Sequence, residues 1–103
     1  MEEKVKVSIL LEIYGNLLTK RQYEYMDYYY NEDLSLSEIA DNNDITRQAV
    51  RTILVKSKKK LEEYEKRLGF MQKEKNIKDY IEQLENTKSN QKIINKIKEQ
   101  IDF

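Results

Sequence analysis

The stretch LSLSEIADNNDITRQAVRTILVKSKKKL, residues 34–61, decides the fold because it contains two short helical patterns joined by a polar turn. Ser35 and Glu38 have the spacing of a capping box, in which each side chain accepts a hydrogen bond from the other residue's backbone N–H. The first helix is therefore predicted to begin at Leu36. Ala40 is small enough to let a second helix cross closely. Together these features predict a helix-turn-helix motif.

The turn is predicted over residues 41–45. Asn42, Asn43 and Asp44 are among the few non-glycine types that tolerate left-handed backbone angles, which a tight turn between helices needs. Thr46 then has the position of an N-cap. A second helix, 46–67, is predicted to follow and to end near a left-handed cap at Gly69.

This second helix divides into an apolar face and a polar face. Its inward stripe repeats at helical spacing and places Ser57 in one inward position. The stripe comprises Val50, Ile53, Leu54, Leu61, Tyr64 and Leu68. Counting about 100° per residue, the outward side carries side chains that can read base edges or hold phosphates. The candidate nucleic-acid-binding residues are Arg47, Gln48, Arg51, Thr52, Lys56 and Lys59, with Val55 beside them.

Positive charge is concentrated on this helix although the chain as a whole is neutral. Every charged residue from Ile45 to Leu61 is Lys or Arg, whereas the whole chain contains 19 basic and 19 acidic residues. The basic field is therefore a patch, which is a typical nucleic-acid footprint. A solvated lysine-rich face is the alternative interpretation, because 37% of the residues are charged.

Composition restricts both fold and chemistry. With no proline, only two glycines and no alternating strand pattern in 103 residues, an all-α protein is predicted. Because the chain lacks histidine and cysteine, and neither glycine belongs to a phosphate-binding loop, we expect no enzyme, catalytic residue, metal site or cofactor. No apolar run is long enough for a membrane span, and the start Met-Glu-Glu-Lys does not resemble a signal peptide, so a cytoplasmic protein is expected.

Two further helices are predicted before the motif. The first has an apolar stripe of Val5, Ile9, Leu10, Ile13, Tyr14 and Leu17. Thr19 and Gln22 form a second capping box, which opens a helix to about Tyr30. Its many tyrosines allow a stacking platform for bases, but inward packing of Met26, Tyr29 and Tyr30 explains them better.

The sequence after Gly69 predicts a C-terminal helical extension, residues 70–103, which follows a helix-turn-helix domain in residues 1–69. A junction is predicted over 69–76, followed by two narrow-striped helices, the second capped by Ser89 or Asn90. Such helices need a surface to dock on. That surface is either the Tyr64 and Leu68 face of the same chain or a second copy, which would make a homodimer.

With the motif placed, the chain resembles the YlxM family, small bacterial proteins whose helix-turn-helix is similar to region four of sigma factors. The turn departs from the family pattern at two positions. Asn43 stands where the pattern usually has an apolar residue, and Asp44 stands where sigma-like motifs prefer glycine. The matching stretches are Leu17-Leu18-Thr19, Tyr29-Tyr30, Asp33-Leu34-Ser35-Leu36, Glu38-Ile39-Ala40, Arg47-Gln48-Ala49-Val50 and Leu61-Glu62-Glu63-Tyr64-Glu65 with Leu68.

The resemblance implies a non-enzymatic accessory or regulator of the signal recognition particle pathway. Its partner would be the particle's RNA or the signal recognition particle GTPase. Similarity to sigma factors instead implies a DNA-binding transcription regulator that reads the major groove with helix 46–67, using Arg47, Gln48, Arg51 and Thr52 on bases and Lys56 or Lys59 on phosphates. An adaptor that binds only protein is a further alternative.

Overall fold

The protein is built from six α-helices over the residues that its computed structural model describes, 2–86 and 90–101, and no strand occurs among them. The predicted all-α helix-turn-helix fold is confirmed. Helices α1 to α4 form one compact unit, and α5 and α6 form a second. The helices are α1 (Glu3–Tyr14), α2 (Lys20–Tyr30), α3 (Leu36–Asn42), α4 (Arg47–Leu68), α5 (Phe70–Glu85) and α6 (Gln91–Gln100), with a 3-10 turn at Gly15–Leu17.

The core of the first unit draws on all four of its helices. Long α4 lies at the centre and packs on α1, α2 and α3. Tyr14 of α1 fixes one of these contacts, because its hydroxyl donates to Glu65 Oε1 of α4 at 2.6 Å. The most buried side chains are Val7, Leu10, Leu11, Tyr14, Met26, Ile39, Val50, Ser57 and Leu61.

The buried face of α1 differs from the predicted one. Val7 and Leu11 are buried, whereas Val5 and Leu17, which the sequence predicts on the inward stripe, are 48% and 52% exposed. The physical reason is that α1 is apolar on most of its circumference. Its sequence is therefore compatible with two different apolar faces, and packing buries the face that contains Val7.

Helix α2 begins as predicted at the capping box of Thr19 and Gln22, with both hydrogen bonds present. Met26 is fully buried, and Tyr29 and Tyr30 are half-buried, with ring centroids 4.9 Å apart in an edge-to-face arrangement. Tyr25 is also buried, which the inward assignment missed. Packing, rather than a base-stacking platform, accounts for these side chains.

Gly15 makes room for α2 at the end of α1. A Cβ atom at this position would lie 2.7 Å from Cε2 of Tyr23, closer than such atoms approach one another. The chain leaves the α-helical path here through the 3-10 turn and reaches Thr19 in an extended conformation. The glycine therefore allows the close return of the chain from α1 to α2.

The second unit is a pair of helices with a small apolar contact. Ile81 of α5 and Ile94 of α6 are buried, and Lys98 forms an ion pair with Glu85. The predicted junction over 69–76 is wrong, because α5 begins at Phe70, directly after the left-handed cap at Gly69. Asn90 lies at the N-cap of α6, and the other predicted cap, Ser89, lies outside the described residues.

None of the helices in residues 2–86 and 90–101 is both long enough and apolar enough to cross a membrane.

Candidate nucleic-acid interface

The motif begins at a fully formed capping box. Ser35 Oγ accepts from the backbone N–H of Glu38 at 3.1 Å, and Glu38 Oε1 accepts from the N–H of Ser35 at 3.0 Å. Hydrogen bonding with Ser35 lowers the pKa of the Glu38 carboxyl; the bond with the Ser35 backbone has the larger effect and the bond with its side chain the smaller one. The carboxylate therefore stays ionised at the helix start. Ile39 and Ala40 then lie buried against the rest of the unit, as their positions predicted.

The turn is shorter than predicted, because α3 continues through Asn42. Of the three residues expected to supply left-handed angles, Asp44 alone does so, with φ of 52°. Asn43 has a negative φ of −118°, and its Nδ2 donates to the Ile39 carbonyl oxygen at 2.8 Å. The two unusual turn residues thus have separate roles: Asp44 adopts the glycine-like conformation, and Asn43 satisfies a carbonyl at the end of α3.

Thr46 caps α4, since its Oγ1 accepts from the Ala49 backbone N–H at 3.0 Å. This cap fixes where α4 begins and therefore which way Arg47 and Gln48 leave the helix.

We expect Thr46→Ala to lower the free energy of unfolding by about 1 kcal/mol, because an N–H at the start of α4 loses its partner. Chemical denaturation followed by circular dichroism measures the change. Thr46→Ser keeps the hydroxyl and is the matched control. Equal losses in both variants would show that the threonine methyl, not the cap, stabilises the turn.

Helix α4 separates buried and exposed faces largely as predicted. Val50, Leu54 and Leu61 are buried, and Ser57 is buried with its hydroxyl donating to the Ile53 carbonyl oxygen at 2.7 Å. The serine fills the inward position without an unpaired polar group. The stripe is wrong at its far end, because Leu68 is 41% exposed.

The structure places all six candidate contacts on the exposed side of α4. They lie in three rows, as follows from about 100° per residue: Gln48, Thr52 and Lys59 form the crest, Arg47 and Arg51 one edge, and Lys56 the other edge. All six are exposed.

Thr52 and Val55 offer a hydrogen-bond acceptor and methyl groups on this face. The Thr52 hydroxyl donates to the Gln48 carbonyl oxygen at 2.9 Å, so its proton is already used and its oxygen can only accept. Val55 is 57% exposed and offers methyl groups next to the crest. An acceptor beside methyl groups suits base edges in the major groove, where amino donors and the thymine methyl occur.

Lys58 lies on the same edge of α4 as Arg51, but its ammonium is engaged within the protein. Its Nζ forms an ion pair with Glu3 of α1. The hydrogen bond with Glu3 raises the pKa of Lys58, and the same bond lowers the pKa of Glu3. Sequence reasoning missed this partnership, since no local pattern links residues so far apart in the chain.

A groove of about 180 Å³ borders the exposed face. Its walls include Tyr30 of α2, Leu36 of α3 and, on α4, Arg51, Val55 and Lys58. Burial raises the pKa of Tyr30, so its phenol stays neutral and offers a hydroxyl beside the basic residues. The described residues contain no cluster of carboxylates arranged to hold a metal ion.

Comparison with known proteins places this geometry in context. A model of the UPF0122 family, helix-turn-helix proteins of the YlxM/p13 type, matches residues 1–101. The chain is 44% identical to a UPF0122 protein of Clostridium kluyveri, covering 98% of this chain and 96% of the relative. It is 41% identical to one of Clostridium botulinum, over 82% of this chain and 81% of the relative. A Symbiobacterium thermophilum relative is 46% identical over 69% of this chain and 66% of its own length.

Proposed function

Because the chain belongs to the UPF0122 family of YlxM/p13-like helix-turn-helix proteins, we propose that it is a non-enzymatic regulator that binds duplex DNA through α4. The observation that carries the proposal is the exposed face of this helix. Its cations are concentrated, and Arg47, Arg51, Lys56 and Lys59 form no ion pair with any residue the structure describes. Cations held on a capped helix without acidic partners are available for phosphates and base edges.

The proposed roles follow the rows of α4. The helix is about 10 to 12 Å across with its side chains, which matches a major groove about 12 Å wide. Gln48 and Arg51 present groups that pair with adenine and guanine edges, and Thr52 accepts from an amino group. Arg47 beside the capped N-terminus reads a base at the start of the helix. Lys56 and Lys59 hold phosphates farther along.

Duplex DNA suits this surface better than duplex RNA does. The major groove of A-form RNA is too narrow to admit a helix, so an RNA partner would have to be held through phosphates or loops. The resemblance to the YlxM family implies a link to the signal recognition particle pathway. The particle's RNA and its GTPase are therefore the alternative partners to compare with duplex DNA in a binding test.

The test measures binding of the purified protein, at two salt concentrations, to a random duplex pool, the cognate signal recognition particle RNA and the particle's GTPase. We expect selective enrichment of duplexes. The slope of log affinity against log salt concentration should be about −0.9 for each phosphate contacted. Binding to the RNA or the GTPase without duplex selection would overturn the proposal in favour of a targeting-pathway accessory.

We propose further that the protein binds as a homodimer through its second unit. Ile77 and Tyr80 lie three residues apart on α5 and are 44% and 62% exposed, and Ile93 of α6 is 61% exposed. A second copy fits this role because one helix reads only one half-site, and a two-fold dimer reads two. Pairing the same apolar surface with itself is the usual form of a symmetric interface.

Replacing Ile77 and Tyr80 together with glutamate is expected to convert the dimer to a monomer, since like charges would face each other across the two-fold axis. Analytical ultracentrifugation measures the mass. Lys75→Glu with Asp79→Lys changes exposed charges on the same helix and should leave the dimer intact. A monomeric wild-type protein at micromolar concentration would refute the dimer.

A further inference from the structure

Lys58 differs from the other cations between Ile45 and Leu61. Its ammonium is paired with the Glu3 carboxylate, with the lysine side chain 32% exposed and the glutamate side chain 60% exposed. Among the described residues, the remaining cations of this segment have no ion-pair partner. The pair therefore removes one positive charge from a segment in which the other described cations form no ion pair.

Lys58 lies on the same edge of α4 as Arg51. Seven residues separate them, which is close to two turns and about 10 Å along the helix axis. Both side chains line the groove beside α2 and α3. A helix in the major groove has a phosphate backbone along each edge, so a strand that follows the Arg51 edge passes Lys58 as well.

The start of α1 is fixed independently of this pair. Lys4 Nζ donates to Asp33 Oδ1 at 2.6 Å, and Ser8 Oγ donates to Asn31 Oδ1 at 2.6 Å. Both acceptors lie in the connection between α2 and α3. Glu3 is thus held beside Lys58 by a helix anchored at two neighbouring points, rather than by the ion pair alone.

We propose that Glu3 acts as an internal substitute for a phosphate and withholds Lys58 from the nucleic-acid backbone. The carboxylate occupies the ammonium and places a negative charge where a phosphate oxygen would approach. It thereby limits non-specific affinity without touching the residues that read bases, and so favours sequence selection over general backbone binding. This proposal rests on the proposed binding of duplexes by α4.

The experiment compares Glu3→Gln with Glu12→Gln, which removes the same charge from an exposed position of the same helix. Affinity for a short duplex of random sequence is measured across a salt series. We expect Glu3→Gln to steepen the slope of log affinity against log salt by about 0.9, the value of one new phosphate contact. Glu12→Gln should leave the slope unchanged. Equal slopes in the two variants would overturn the proposal.

Lys58→Gln completes a double-mutant cycle. It should leave the slope unchanged in the wild-type background and abolish the extra slope in the Glu3→Gln background. A lower slope in the wild-type background would show that Lys58 already contacts phosphate, and the proposal would be wrong. Thermal unfolding of each variant checks that α1 remains docked.

A failure of the proposed duplex binding can be distinguished from a failure of the proposed role of Glu3. If the wild-type protein binds no duplex, the same four proteins are compared on linear polyphosphate, which presents phosphates without bases or grooves. A steeper slope for Glu3→Gln than for Glu12→Gln there supports the withholding of Lys58, and equal slopes overturn it.

Discussion

Replacing Arg51 with alanine is expected to weaken binding to the selected duplex by about 1 to 3 kcal/mol, the usual discrimination of a good side-chain contact to a base. That range corresponds to about 5- to 150-fold in affinity. Arg51 is exposed on α4, and its guanidinium forms no ion pair with the described residues. The reduction should be smaller on duplexes in which the contacted base pair has been changed, because that contact is already absent. Fluorescence anisotropy on the selected duplex and its single-pair variants measures both quantities.

The matched control replaces Lys56 and Lys59 with glutamine on the same helix. These variants should weaken binding to every duplex alike and lower the salt slope by about 0.9 for each phosphate that the protein no longer holds. A reduction that Arg51→Ala causes equally on all sequences would mean that Arg51 holds a phosphate and that the base-reading role assigned to it is wrong. Comparing Arg51→Ala with the lysine variants therefore separates base recognition from backbone attraction on one helix.

The features predicted correctly from sequence are those that depend on neighbouring residues. The capping boxes at Thr19 and Ser35 and the cap at Thr46 each need a partner only three residues away. The glycine cap at Gly69 depends on a single residue's backbone freedom. Such signals fix where helices begin and end, and with the inward spacing of α4 they are sufficient to predict the helix-turn-helix.

The features that sequence could not supply depend on contacts between distant segments. Nothing local indicates that Val7 rather than Val5 faces the core, because α1 carries apolar residues on both sides. The ion pair between Lys58 and Glu3 joins residues that are far apart in the sequence of the first unit, and it forms only when α1 is packed on α4. Within the candidate site, the sequence placed the exposed residues on α4 but could not show that the Thr52 hydroxyl is already engaged.

A second large effect is expected from Leu61→Ala in the centre of α4. The Leu61 side chain is 0% exposed, and truncating a fully buried leucine lowers the free energy of unfolding by about 2 to 5 kcal/mol. The unit formed by α1 to α4 is small, and small units bury little surface and have little stability to lose. We therefore expect much of the unit to be unfolded at moderate temperature. Urea titration followed by circular dichroism measures the change.

Val55→Ala is the control for this change because it truncates another branched aliphatic residue on the same helix. The Val55 side chain is 57% exposed, so its truncation should alter the free energy of unfolding by no more than about 0.5 kcal/mol. Similar destabilisation in the two variants would show that α4 is rotated from the orientation described, which would also move Arg47, Gln48 and Arg51 off the exposed face. A stable Val55→Ala protein with weaker binding to duplexes that contain thymine at one position would instead identify the Val55 methyls as part of the reading surface.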